Sequence, residues 1–371
     1  MTVAAFPDRR LTLGFLCPHN PHDRRAFSGT SYFASQALMR RPDIDLRLLG
    51  DHQPPRLLDR MLQRPSPVLN TDPPALDDVD AVIGLVATKQ LNKVIDQHPD
   101  MPVFHVTDAT PAFLTEAYGW AMPESAFAEE RNLAARATRV IYSSPEMAAR
   151  APRDLGLPGF RPAVAAFGVN FEDLPETCPE KPAPGRLNLL FVGLDWVRKG
   201  GDIAVEALNR LREQGIDAHL SIVGRCPERH WSHPHITYAG FLSKNRARDV
   251  AALTRLYKEA HLLLLPSRSD CTPMVLAEAM AHGTPVIATD TGGVASLLGG
   301  AGTGRLLQPH ASPGEWAAAI RSIMADRDTY RFMSDAAFER GRAELSWAAW
   351  ADQIVAQARP LVRPERLAQS A

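Results

Sequence analysis

One alternation, run through twice, constrains this chain more than any other feature. Short apolar runs of four to seven residues alternate with helical stretches, and a proline-rich break interrupts the series midway. In the first half the strand candidates lie at 11–17, 44–49, 81–86, 102–106, 139–142 and 163–166, with helical stretches such as 31–40, 88–97 and 124–137 between them. After LPETCPEKPAPGR (174–186) the series restarts. Strand candidates follow at 187–193, 218–224, 236–240, 262–266 and 285–289, helices at 200–214, 246–260 and 273–282, and a helical tail runs from Ser312 to about residue 358. Strand, helix, strand in repetition predicts parallel sheets covered on both faces, because a parallel crossover needs a helix's length of chain. The Pro-rich segment reads as an interdomain linker. The expected fold class is therefore α/β, with two tandem doubly wound, Rossmann-like domains. A length of 371 residues suits two cores better than one.

Composition removes several classes of function. A formal net charge of −1 offers no general attraction to nucleic acid, so none is expected as a partner. Cys17, Cys178, Cys226 and Cys271 lie far apart without a CxxC pair, which argues against structural zinc and against a disulfide framework. MTVAAFPDRR lacks the apolar run of a signal peptide, and no stretch approaches the roughly 20 apolar residues that span a bilayer. A cytoplasmic protein is the expectation.

In open parallel sheets ligands bind outside the carboxyl ends of the strands, so the loops after strands hold the candidate chemistry. The loop after the first strand carries Ser28, Gly29 and Thr30 just before a helix, where backbone N–H groups favour an anion. The loop after LLFVG places Arg198 and Lys199 before Gly200 and Gly201 at a helix start, which would compensate a diphosphate. The loop after LLLLP reads Asp270, Cys271, Thr272, Pro273, Met274 and runs into VLAEAMAHG. Thr272 is expected to cap that helix with Pro273 at its first position, leaving free N–H groups for phosphates. Glu278 lies five residues beyond Pro273, about 7.5 Å along the helix axis, so Asp270 and Glu278 could touch different parts of one elongated ligand. A carboxylate within VLAEAMA also implies a buried partner.

DCTPMVLAEAMAHGTPVIATDTGG resembles the signature of the family 4 retaining glycosyltransferases, in which two acidic residues are separated by seven others, as Asp270 and Glu278 are. LLFVGLDWVRKGGDIAVEAL resembles that family's diphosphate-binding segment. FSGTSYFASQAL, HVTDATPAFL and VIYSSPEMAARAPRDLG are similar to one branch of it. The resemblance implies a GT-B fold: two domains facing across a cleft, the first at 1–174, the second at 185–346, and a C-terminal helix near 347–371 crossing back onto the first. It implies that Glu278 binds the donor ribose and Asp270 the hydroxyls of the transferred sugar. Arg198 and Lys199 would bind and stabilise the departing diphosphate, and Gly29 would let the first domain's loop close over it. Gly224 with Arg225, and Phe241 with Leu242, would border the base, and Asp108 would face the sugar. The donor would be a UDP or GDP sugar and the acceptor a glycan, a lipid-linked glycan or a small molecule. A lipid-linked acceptor would bring the protein to the inner face of a membrane. No cofactor or metal is implied. Two departures from the family pattern are Asp270, where Glu is commoner, and Leu194, where many relatives carry Arg. A GT-B epimerase, a sugar-phosphate synthase and a non-catalytic nucleotide-sugar binder remain alternatives.

Other signals are read as structural. His230, His233 and His235 are loop histidines without carboxylate or Cys neighbours, and the glycines between 299 and 304 do not fit GxGxxG. Asp77, Asp78 and Asp80 precede a strand and read as a solvated turn.

Overall fold

The computed structural model describes residues 10–50, 76–182 and 185–362. The first domain holds β1 (Leu11–Leu16), α1 (Thr30–Met39), β2 (Ile44–Leu49), β3 (Ala81–Leu85), α2 (Thr88–Gln97), β4 (Val103–Thr107), α3 (Pro111–Tyr118), α4 (Glu124–Arg136), β5 (Arg139–Tyr142), α5 (Pro145–Asp154) and β6 (Ala163–Val164). Its six strands run in the order β2-β1-β3-β4-β5-β6, every ladder parallel. The second domain holds β7 (Leu187–Gly193), α6 (Gly201–Glu213), β8 (Ala218–Gly224), β9 (Ile236–Gly240), α7 (Ala247–Glu259), β10 (Leu262–Leu265), α8 (Met274–Met280), β11 (Val286–Thr289), α9 (Val294–Leu298) and β12 (Gly304–Leu307). These strands run β12-β11-β10-β7-β8-β9, again all parallel. Strand order reverses at β1/β3 in one sheet and at β7/β10 in the other, which puts a ligand crevice at each reversal.

The central strands carry continuous apolar runs because helices cover both faces. Leu11, Leu13 and Phe15 of β1, and all four leucines of β10, are buried. Two helices that follow strands, α3 and α5, start on side-chain caps with proline in the first turn. Thr110 accepts from the Phe113 N–H and Ser144 from the Met147 N–H.

After α10 (Pro313–Met324) and α11 (Arg327–Ala343), α12 (Trp347–Ala358) leaves the second domain and packs on the first. Trp350, Ile354 and Val355 join Leu13, Phe15 and Phe33 in one core, and the Trp347 indole donates to Asn170 Oδ1 at 2.9 Å. Residues 363–371 of the expected crossing segment, and 183–184 of the linker, lie outside the described residues. Trp350 is wholly buried, so Trp350→Ala should cost about 3–5 kcal/mol of stability, read as a shift in the urea midpoint.

Two readings are corrected by the packing. Asp80 is no solvated turn residue: it is buried, and its carboxylate accepts from the Thr12 N–H at 2.8 Å, tying the entrance of β3 to β1. Asp78 does stay exposed, paired with Arg47 at 3.1 Å. Within the linker, Lys181 is half-buried, and its ammonium reaches the carbonyls of Tyr257, Lys258 and His282 and the Thr284 hydroxyl, at 2.6–3.3 Å. The segment is strapped to the second domain rather than hanging free.

Candidate active site

A cleft of about 680 Å³ lies where the carboxyl ends of the two sheets meet. The two domains touch along it. Ser143 and Thr272 share a hydroxyl hydrogen bond of 2.6 Å, Asn245 donates to Asp23 at 2.7 Å, and Ser296 donates through its N–H and hydroxyl to Glu146.

At the β7 and β10 exits sits a cluster of opposite charges. The Lys199 ammonium is bonded to Asp270 Oδ2, which also accepts from the Ser267 hydroxyl at 3.1 Å. Arg198 stands 3.9 Å from Asp270 Oδ1, donates to the Ser269 carbonyl at 2.9 Å and lies over the Tyr118 ring at 4.5 Å. Arg198 is thus held in the cleft by Ser269 and Tyr118, and by Asp195, which accepts from its Nε at 3.2 Å, rather than being an exposed turn residue. Leu194 also lines the cleft, with 53% of its surface exposed, and brings no charge. The chain can turn so tightly here because Gly200 has φ +72° and a Cβ would stand 2.0 Å from the Pro266 carbonyl oxygen.

Glu278, on α8, is buried with both carboxylate oxygens engaged: one by the Lys244 ammonium, the other by the Tyr257 hydroxyl at 3.0 Å. These are the partners its apolar sequence context requires. Behind them the neutral ring of His282 stacks on Tyr257 and meets Phe171 edge to face, with Nδ1 on the Glu278 carbonyl at 2.8 Å. Burial lowers the His282 pKa to about 4. The unfolded chain therefore binds a proton there before the native one does, and stability falls as pH drops from 6.5 towards 4. His282→Phe should flatten that limb of a thermal-melt profile by about 3 kcal/mol, the size of a 2.5-unit shift.

The first domain contributes Asp108 from the exit of β4. Burial raises its pKa, and the Cys271 thiol donates to it at 3.2 Å. Burial and the charges of Asp108 and Asp270 push the Cys271 thiol well above its ordinary value, and Tyr118 is raised chiefly by burial. Neither the Cys271 thiol nor the Tyr118 hydroxyl is built as a nucleophile at neutral pH.

Of the residues picked out in the sequence, Thr30, Asp108, Arg198, Lys199, Gly224, Phe241, Leu242, Asp270, Cys271, Thr272, Pro273, Met274 and Glu278 all line the cleft. Gly29 does not. It is buried behind it at φ +94°, ending a strained turn in which Phe27 and Ser28 also have positive φ. Arg225 is exposed and lies outside the lining, because its backbone turns away after bonding to the Gly193 carbonyl. Thr272 does not cap α8. Pro273 is extended at ψ 98°, so the helix starts at Met274, and the Thr272 hydroxyl serves the domain interface instead. The Cys271 N–H is likewise taken, by the Tyr118 hydroxyl at 3.1 Å. Sequence reading missed Lys244, Tyr118 and the Arg24 and Arg25 pair. Lys244 follows β9 as Lys199 follows β7, so the same post-strand rule would have found it; nothing local marks Tyr118.

Among the described residues no three His, Cys, Asp or Glu side chains gather as a metal site, and no helix is long and apolar enough to cross a membrane. His230 is stacked on Trp196 at 5.5 Å.

Residues 186–326 match the family described as Glycosyl transferases group 1. A D-inositol 3-phosphate glycosyltransferase of Nocardia farcinica is 31% identical over 183 residues, 47% of this chain and 40% of the relative. A glycogen synthase of Mycobacterium tuberculosis is 29% identical over 170 residues, 45% of this chain and 41% of the relative. The matched stretches span less than half the length of these curated relatives. Among solved structures, a sucrose-phosphate synthase of Thermosynechococcus elongatus superimposes with a TM-score of 0.66 at 19% identity, over 95% of this chain and 99% of that one. HepE of Anabaena, in complex with UDP, gives 0.66 at 16% identity over 94% and 100%. At these identities the structures establish the fold, which is GT-B.

Proposed function

We propose that the chain moves a sugar from a nucleoside diphosphate sugar to an acceptor hydroxyl with retention at the anomeric carbon, a reading that the match of residues 186–326 to the Glycosyl transferases group 1 family supports. The observation that carries this reading is the pairing of two charge clusters in one cleft. Lys199 and Arg198 gather at Asp270, while Glu278 is set apart on α8. A nucleoside diphosphate sugar has matching parts: hydroxyls on its sugar, a dianionic bridge, and ribose hydroxyls beyond.

In this reading Glu278 accepts from the ribose, Asp270 from the transferred sugar, and the two cations neutralise the diphosphate as it leaves. The bond from the anomeric carbon to the phosphate oxygen breaks, and the acceptor oxygen bonds on the same face. The acceptor's proton passes to a phosphate oxygen of the departing diphosphate. The protein then supplies position and leaving-group stabilisation rather than a dedicated base. With the charge supplied by Arg198 and Lys199, turnover is expected to continue in excess EDTA; loss restored only by Mg²⁺ or Mn²⁺ would overturn the metal-free reading. The acceptor is a glycan, a small molecule or a lipid-linked glycan, the last reached by docking at a membrane surface from the cytoplasm.

The direct test is a thermal-shift screen with UDP, GDP, ADP and TDP sugars. A ligand at 100 times its dissociation constant adds about 2.7 kcal/mol. The binding donor is then incubated with mixed acceptors and the product anomer read by NMR. Absence of any shift, or a product of inverted configuration, rejects the proposal.

A further inference from the structure

Lys244 is a buried cation at the nucleoside end of the cleft that the diphosphate chemistry does not use. It follows β9 in the run Phe241, Leu242, Ser243, Lys244, and β9 pairs with β8, whose last residue is Gly224. Val223, Gly224, Phe241, Leu242 and Leu253 are cleft-lining and offer no charged side chain at this end. Lys244 lines the same cleft with only 14% of its side chain exposed. Its ammonium is bonded to one oxygen of Glu278 and stands 5.3 Å from the centre of the Phe171 ring. That bond uses one of its three N–H donors, and an ammonium has no acceptor to offer. Any ligand whose ribose reaches Glu278 therefore brings its base next to a side chain that can only donate.

We infer that Lys244 sets base selectivity, favouring donors whose base presents a carbonyl oxygen, as uracil and guanine do, over adenine, whose exocyclic group is an amine. This rests on the nucleotide-sugar reading of the same cleft. A carbonyl beside the ammonium gains a charge-assisted hydrogen bond; where uracil or guanine presents that oxygen adenine presents its exocyclic amine, a donor facing a donor, and only its ring nitrogens accept. Rejection of the wrong base comes from that mismatch as much as from attraction to the right one.

The experiment is calorimetric titration of the full chain with UDP, GDP and ADP, before and after Lys244→Met and Lys244→Gln. The readout is the ratio of the ADP to the UDP dissociation constant, which cancels any loss shared by all nucleotides through Glu278. The wild-type ratio should be about tenfold or more, the size of one charge-assisted hydrogen bond. In Lys244→Met it should fall to about threefold or less. Lys244→Gln, whose amide both donates and accepts, keeps a partner for Glu278 if the methionine variant fails to fold, and should likewise lower the ratio. A wild type that binds ADP as tightly as UDP, or variants that weaken all three nucleotides by one factor, would overturn the assignment of base selectivity. A wild type that binds none of the three would instead sink the nucleotide-sugar reading beneath it.

Discussion

Lys199→Ala is expected to slow the chemical step by about 10²–10³, the range for deleting one preorganised electrostatic donor. Negative charge on the diphosphate grows as the glycosidic bond breaks, so a cation beside it counts for more in the transition state than in the bound donor. Donor affinity should fall less than the single-turnover rate. The structure adds a second consequence. Lys199 is bonded to Asp270, which is buried, so the variant also leaves a carboxylate short of its cation. Double substitution with Asp270→Asn separates the two effects: it removes the stranded charge, so the stability loss should be relieved, while turnover should remain below that of Asp270→Asn alone. Arg198→Ala then tests how the charge missing at Leu194 is made up. Arg198 is braced by Ser269 and Tyr118 within reach of Asp270, so its loss should approach that of Lys199, with Leu194→Arg restoring part of the rate. A silent Arg198→Ala beside a crippled Lys199→Ala would assign the leaving group to Lys199 alone.

The second large effect is expected at Glu278. Glu278→Gln removes a charge and turns one of two acceptor oxygens into a donor, while Lys244 and the Tyr257 hydroxyl both point donors at this side chain. The ribose loses a charge-assisted acceptor, typically about 1.5–3 kcal/mol, so the dissociation constants of UDP and GDP should rise roughly 10- to 100-fold. Tyr257→Phe is the control: it leaves the carboxylate and Lys244 in place, so its effect on affinity should be smaller. A folded Glu278→Gln protein that binds UDP and GDP as tightly as wild type would remove the ribose from this residue.

How much of this could be read beforehand divides along a physical line. The strands were legible because both faces of each sheet are covered, which forces apolar runs such as Leu262–Leu265. The residues that line the cleft were legible because a parallel sheet puts its crevice at strand exits, and Lys199, Asp108 and Asp270 all stand there. Glu278 announced itself as a charge in an apolar run. The start of α8 was misread because Thr and Pro are favoured cap residues in general, while Thr272 here is claimed by Ser143 across the interface. Asp80 was misread because its partner is a backbone N–H on another strand, 68 residues away.

The sequence by itself determined the alternation of strands and helices with the exception of β12, the break into two sheets, and which loops hold charge. These depend on periodicity, which is local: a side chain's face follows from its position along a strand or helix. Only the tertiary structure decided which charges meet. Lys199 reaches Asp270 across 71 residues and Lys244 reaches Glu278 across 34, through strand neighbours fixed by the order β12-β11-β10-β7-β8-β9. α12 closes on the first sheet because Trp347 and Trp350 find their apolar partners there, in Leu13, Phe15 and Phe167. Such pairings follow from how sheets and helices pack in three dimensions, and no spacing along the chain encodes them.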